Sequence, residues 1–588
     1  MLAAVMIGFG IAQRTILAEP DQVEAVAEFD GTAPITLIDG ATLNSLDGRQ
    51  KIELTGEGNL FAAYGRTSDL LAWIGEASYN ELQYDSETGE LATSVVKGTE
   101  EAVPNPRGSD LWLTEYSRDD LLSIVVNVPE DVSVIAMTDG TAPAPTEVAI
   151  SWPQDNRTPW SGPLIVGGVV LLLVGLGLYL WALAHLNKSR GPRRKQPKLP
   201  RPPRRPIARP KKPSVLPIPR GRRKALRMAV IPVTLTTGLL LSACSADYWP
   251  AAFSGEAEAT PTPSATTSAS DAKPPAVTVP QLTNIIGKVA TAAKDADAAA
   301  DADIAASRFA GAALEARSAN YAIRAADSSY PAPAAIPNGE IQLALPQQTD
   351  AWPRTVFTVV QQKPAKNASP VEPAEGEAAA EAEPMYGLML VQATPRDNFK
   401  VVYAVTLEPS AKLPEVVSAE TGTARLKPDV QQLLQMAPDQ LALAYGDVLL
   451  NGESSEHYGK FDTEGDSLIA SIGQAKKAER QASLPAIASM AFANAVGPGD
   501  AIAMATNNTG AIVSVYLHET ETVTPVEEGA TINAEGAVKT LSGVSSTTKG
   551  TQATYGDQLL FYVPPSSSTN EKIKLLGFTS ALISAQEL

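Results

Sequence analysis

Residues Leu164 to Ala184 form an uninterrupted run of 21 uncharged, mostly aliphatic residues. At about 1.5 Å per residue, a helix of this length spans the roughly 30 Å hydrocarbon core of a bilayer. Trp160 precedes the run, and Tyr179 and Trp181 stand near its other end, as interfacial aromatic residues do. A buried soluble helix is the competing reading, but such helices are usually shorter and carry polar residues. The run therefore predicts a transmembrane helix over 163–185 and obliges the rest of the chain to be sorted by side of the membrane.

The sorting signal follows at once. Between Lys188 and Arg227 there are 17 Lys and Arg and no Asp or Glu. Lys188, Arg190, Arg193, Arg194 and Lys195 begin the stretch, and Arg222, Arg223, Lys224 and Arg227 end it. The remainder of this chain of net charge -18 holds 30 basic against 65 acidic residues. The positive-inside rule places 186–227 in the cytoplasm and residues 19–160 outside. Anionic lipid headgroups are partners of such a stretch by the same charges. A nucleic-acid-binding tail is the rival reading, and the flanking apolar segments favour topology over it. Pro197, Pro200, Pro202, Pro203, Pro206, Pro210 and Pro213 predict an extended linker.

Met228 to Leu241 is a second apolar stretch, ending in Leu241-Ser242-Ala243-Cys244 on the chain's one cysteine. A basic flank, a short apolar run and this tetrapeptide resemble a bacterial lipoprotein signal with its lipobox. The resemblance implies a diacylglycerol thioether on Cys244, cleavage before it and acylation of the new amino terminus. Each buried methylene contributes about 0.8 kcal/mol, so two or more acyl chains make a stable anchor. Such signals normally stand at the N-terminus, whereas this one is internal. Processing would give two products, 1–243 and 244–588; an uncleaved further membrane segment (228–244) and an ordinary buried cysteine are the alternatives. Residues 1–18 are apolar but lack a basic n-region, and read as an N-terminal anchor or a signal whose beginning is clipped. A single cysteine excludes an intramolecular disulfide and a cysteine-based zinc site.

The chain thus reads as a multi-domain membrane protein: a mostly-β sandwich ectodomain (19–160), transmembrane helices, and a C-terminal α+β ectodomain. In the first region, runs such as Lys51–Leu54, Leu60–Tyr64, Glu81–Tyr84, Leu91–Val96, Leu122–Val128, Val132–Met137 and Val148–Trp152 predict short strands in a small antiparallel sandwich. Ser68–Ile74 adds a helical turn or two. Residues 245–280, rich in Pro, Ser and Thr, predict a disordered tether. From there Leu282–Ala293 and Ala302–Ala325 predict helices, and Val356–Val360, Leu388–Ala393 and Phe399–Leu407 predict strands, around a disordered insert at 363–384. Pro395-Arg396-Asp397-Asn398 supplies the turn between the last two strands.

The pattern then repeats. Helices are predicted at Val430–Met436, Pro438–Leu450, Ser467–Arg480 and Leu484–Ala495, and strands at Ile512–Leu517, Ala537–Leu541, Leu559–Val563 and Ile573–Ile583. Tyr386-Gly387 and Tyr555-Gly556 each lead into strand, proline-containing turn and strand. Helices followed by a long antiparallel sheet resemble NTF2-like or cystatin-like α+β units, here two, at 281–415 and 425–588. Element order alone carries the resemblance, so it transfers no functional residue.

Chemistry is sparse. Of three histidines, His185 flanks the membrane run, His457 follows Glu456 in a polar, Gly-punctuated segment, and His518 alternates with Val513, Val515 and Leu517. A solvated loop is the reading of His457, and surface exposure that of His518. Asp295, Asp297, Asp301 and Asp303 lack the glycine and terminal glutamate of a calcium loop and read as a solvated helix face. No cofactor motif and no catalytic set stands out. The expectation is a non-catalytic envelope protein that binds or assembles other envelope proteins, with no nucleic-acid partner, given its acidic balance. A cell-surface enzyme using Glu456 and His457, and a transmembrane sensor signalling through 188–227, are the alternatives.

Overall fold

The computed structural model describes residues 1–17, 20–29, 31–154, 158–189, 273–362, 384–430 and 432–588. The chain divides into two compact units. The smaller contains both apolar helices with short flanks; the larger contains 25–46, 50–150 and 269–588.

In the smaller unit, α1 (Leu2–Thr15) packs against α4 (Ser161–Ser189). Small residues permit the approach. A Cβ on Gly10 would lie 2.7 Å from Cγ1 of Ile165, and one on Gly168 would lie 2.6 Å from Cγ1 of Ile7. The two helices therefore run antiparallel through a glycine-lined contact. Among the described residues, α4 is the one helix long and apolar enough to cross a membrane, by length and composition.

The N-terminal region of the larger unit is mostly β. It comprises β1 (Gln22–Glu28), β2 (Ile35–Ile38), α2 (Gly40–Leu43), β3 (Gln50–Arg66), α3 (Thr67–Ile74), β4 (Tyr79–Asp85), β5 (Glu90–Val96), β6 (Thr114–Val126), β7 (Val132–Met137) and β8 (Glu147–Pro153). The runs at 51–54 and 60–64 belong to one long strand, β3, interrupted by a bulge between Thr55 and Asn59. Asp85 and Gly89 (φ +74°) close the β4–β5 hairpin, where Asp85 Oδ1 accepts from the Glu87 N–H. Two features differ from an antiparallel sandwich. All eight strands join one hydrogen-bonded sheet, in the order β1-β8-β3-β7-β2-β4-β5 with β6 beside β3. Moreover, β2 and β4 run parallel. The crossover from β2 to β4 contains α3, whose Leu70, Trp73 and Ile74 are buried against Phe61, Trp112 and Ile135. Strand propensity could not reveal that crossover.

The C-terminal region is α+β. Its first half runs α5 (Val279–Ala299), α6 (Ala302–Ala306), α7 (Gly311–Ala326), β9 (Glu340–Pro346), β10 (Arg354–Gln361), β11 (Met385–Gln392) and β12 (Lys400–Leu407). Thr278 and Gln281 form a capping box at the start of α5, with proline in its first turn. The helix expected over 302–325 is broken at Gly311, which sits at φ +54°. The tether expected up to residue 280 ends sooner: Ala276 is already buried, and Pro275 bridges Gln348. Residues 245–272 and the insert at 363–383 lie outside the described residues.

The second half has α8 (Leu441–Asn451), α9 (Ser467–Ile472), α10 (Gln474–Ala482), β14 (Ala488–Val496), β15 (Ile502–Ala505), β16 (Ala511–Pro525), α11 (Gly536–Ser542), β19 (Thr551–Val563) and β20 (Lys574–Glu587), with the short strands β13 (Arg425–Leu426), β17 (Ile532–Asn533) and β18 (Ser546–Thr547). Two expectations are reversed. Residues 484–495 form mostly strand β14, because pairing along β16 from Leu517 to Pro525 overrides their helical propensity. Residues 537–541 lie in helix α11 rather than a strand.

The order β13-β15-β16-β19-β20-β12-β11-β10-β9 makes one antiparallel sheet of both halves. The final strand of each half meets the other in the middle, Thr406 opposite Phe578 and Leu407 opposite Gly577. Gly577 allows this approach, since a Cβ there would stand 2.9 Å from Leu407 Cα. Alternation along the strands fills three cores. Val356, Val360, Leu388 and Val401 pack beneath α5–α7. Val513, Val515, Leu517, Leu559 and Phe561 pack beneath α8 and α9. Phe357, Met389, Tyr403, Met504, Ile512, Tyr516 and Leu560 form a core shared by both halves.

Candidate functional site

Leu241, Ser242, Ala243 and Cys244 lie outside the described residues, as do Arg190, Arg193, Arg194, Lys195, Arg222, Arg223, Lys224 and Arg227. Lys188 stands in the last turn of α4.

The structure does not assemble a reactive set around His457. Its Nε2 is 3.5 Å from Glu456 Oε1, whose side chain is 85% exposed. Nearby, the Ser455 hydroxyl donates to Asp447 and holds that carboxyl below its ordinary range. His518 is not a surface residue. Its strand face turns towards α7, where Nε2 lies 3.9 Å from Glu315 Oε2 and the ring meets Tyr516 edge-on at 4.7 Å. Burial there pushes the imidazole below its ordinary value. Of the four acidic residues of the first half, Asp295 and Asp303 are exposed, as a solvated face requires, whereas Asp297 and Asp301 are structural. Asp297 pairs with Arg317 and accepts the Tyr321 hydroxyl at 2.7 Å, and Asp301 caps α6. Among the described residues, no group of three His, Cys, Asp or Glu side chains is placed to hold a metal ion.

What the sequence reading missed is a junction between the mostly-β region and the first α+β half. Asp110, its side chain fully buried, receives Arg308 at 2.5 Å and Lys288 at 3.2 Å. Its Oδ2 also accepts the Phe399 N–H, and its own N–H donates to Asn398 Oδ1. Asp69, on α3, pairs with the fully buried Arg354 at 2.6 Å. Arg354 also lies over the Trp352 ring at 3.8 Å, and Trp352 packs on the Trp73–Trp112 core. At the rim, Arg396 donates to the carbonyls of Trp73 and Ile74 and pairs with Glu100 at 2.6 Å, holding that carboxyl below its ordinary range. Gln281, having capped α5, also donates to the Leu111 carbonyl. Beside Asp110 opens a cleft of about 970 Å³, lined by Trp112, Glu115, Asn284, Lys288, Thr291 and Asp295 among others.

Charge is divided by side. The carboxylates Asp69, Glu100 and Asp110 come from the β region, and their cations Lys288, Arg308, Arg354 and Arg396 come from the α+β region. Arg66, which donates to the Pro275 carbonyl, is the exception. Buried ions are retained only where paired and hydrogen-bonded, as Asp110 and Asp69 are.

These features define a two-part protein, a mostly-β region and an α+β region held together by a buried, charge-sorted junction. The family model described as Domain of unknown function (DUF8094) matches residues 273–587, more than half of the chain, and the chain belongs to that family. No curated protein and no solved structure matches the chain.

Proposed function

We propose that this is a non-catalytic cell-envelope protein, a binding or assembly module anchored in the membrane. It carries its β region and its paired NTF2-like or cystatin-like α+β halves on the extracytoplasmic face. The observation that carries the reading is the junction itself. Residues 20–154 and 273–588 stand on either side of the apolar helix α4 in sequence, yet Asp110 and Arg308 bond directly. Two segments that touch lie on the same side of a bilayer, so one crossing by α4 demands a second membrane segment before residue 273. The apolar stretch 228–241 with its lipobox fills that requirement, as a crossing or as a lipidated start at Cys244. The exposed aliphatic surface of α4, from Val170 to Leu180, fits lipid better than water.

The test is the mass of a C-terminally tagged product from membranes, with and without an inhibitor of lipoprotein signal peptidase. A fragment beginning at an acylated Cys244, lost on inhibition, is the expected result. A single full-length product without lipid overturns the lipoprotein part of the reading.

A further inference from the structure

We infer that the junction is an interface between separable partners: the β region is a receptor that holds the α+β region without the covalent link between them. This rests on the proposed cleavage at Cys244 only for its biological occasion, in which 1–243 would retain the lipoprotein 244–588. The physical argument is independent of it. Each side owns a core: Phe61, Leu70, Trp73, Trp112 and Ile135 in the β region, Ile285, Val289, Phe309, Val356 and Leu390 in the first α+β half. The contacts between them have the anatomy of an association surface. Acid lies on one side and base on the other, an aromatic side chain (Trp352) of the α+β region packs on the core of the β region, and a half-exposed Arg396–Glu100 pair marks the rim. Such complementarity steers encounter and fixes register between separate bodies. Among the described residues, twelve direct hydrogen bonds cross the junction, as many as a typical specific interface carries, about ten. All of them are made by residues of 66–110 or the Leu111 carbonyl on one side and residues 275–399 on the other.

The experiment uses the full chain with a site-specific protease sequence inserted near residue 260 and an affinity tag at the C-terminus. After extraction in detergent and cleavage, the tagged part is captured and washed. The expected result is that the N-terminal part stays bound. Arg396→Ala and Asp110→Ala, whose side-chain bonds cross the junction, should each weaken retention roughly 30-fold or more. Retention should fall only modestly as salt is raised, because the Asp110–Arg308 and Asp69–Arg354 pairs are buried and weakly screened. Hydrogen exchange on the uncleaved variants, with β16 and β19 protected as in the parent, shows that the fold survives and that loss of retention reports docking. Release of the N-terminal part from the parent protein on cleavage overturns the inference. So does full retention by both variants, which would assign co-purification to the shared micelle. The inserted site makes the result independent of Cys244, so failure of lipoprotein processing and failure of docking are read separately.

Discussion

Asp557 offers the sharpest quantitative test of the fold. It lies on β19 opposite Leu517, with no exposed surface. Burial pushes its carboxyl up to about 7 from an ordinary 3.8; the Ser580 hydroxyl opposes this, Glu519 adds to it, and Lys477 opposes it. Lys477 is itself engaged by Glu519 at 2.6 Å. Because the folded value exceeds the unfolded one, the fold favours the protonated acid. Below about pH 4 both states carry the proton and the ionisation costs nothing. The cost grows as pH rises towards 7 and is constant above. At about 1.4 kcal/mol per pH unit, it reaches about 4 kcal/mol. Asp557→Asn removes the ionisation but leaves an amide N–H short of a partner, a pH-independent cost of about 1–3 kcal/mol. The variant should therefore be the less stable protein at about pH 4 and the more stable one at about pH 8. The stability difference between the two proteins should change by about 4 kcal/mol across that range. Urea unfolding followed by circular dichroism at several pH values measures it. Parallel pH profiles for the two proteins would refute the reasoning.

Two further outcomes follow from the same structure. Asp69→Ala strands the fully buried Arg354 guanidinium and should destabilise the larger unit by about 3–5 kcal/mol, whereas Asp69→Leu with Arg354→Met should recover most of that loss, both read by urea unfolding. Gly168→Leu places side-chain atoms where Cγ1 of Ile7 and the Ala3 carbonyl already stand, so α1 should separate from α4 and limited proteolysis after residue 17 should accelerate; an unchanged cleavage rate would argue against the helix pairing.

Much of the architecture is legible along the chain, because its signals are local. The alternation in 356–360, 388–393 and 399–407 marks β10, β11 and β12, and Tyr386-Gly387 and Tyr555-Gly556 fall on the last strand but one of each half. The failures are also physical. Ala488–Val496 has helical composition but finds an unpaired edge of β16 to complete, and Gly311 breaks an alanine-rich helix that composition alone would continue. Alternation puts His518 on the face opposite Leu517, yet the helix that covers that face comes from the other half.

The sequence by itself determined which stretches are apolar, basic, helical or extended, because charge, hydrophobic run length and periodicity act between neighbours in the chain. The tertiary structure alone decided the junction. Asp110 and Arg308 are 198 residues apart, Asp69 and Arg354 are 285 apart, and Arg396 sits in what reads as an ordinary polar turn. Nothing local distinguishes these charges from solvated ones. They acquire meaning only when folding removes water from around them and brings each against opposite charge from the far side of the junction.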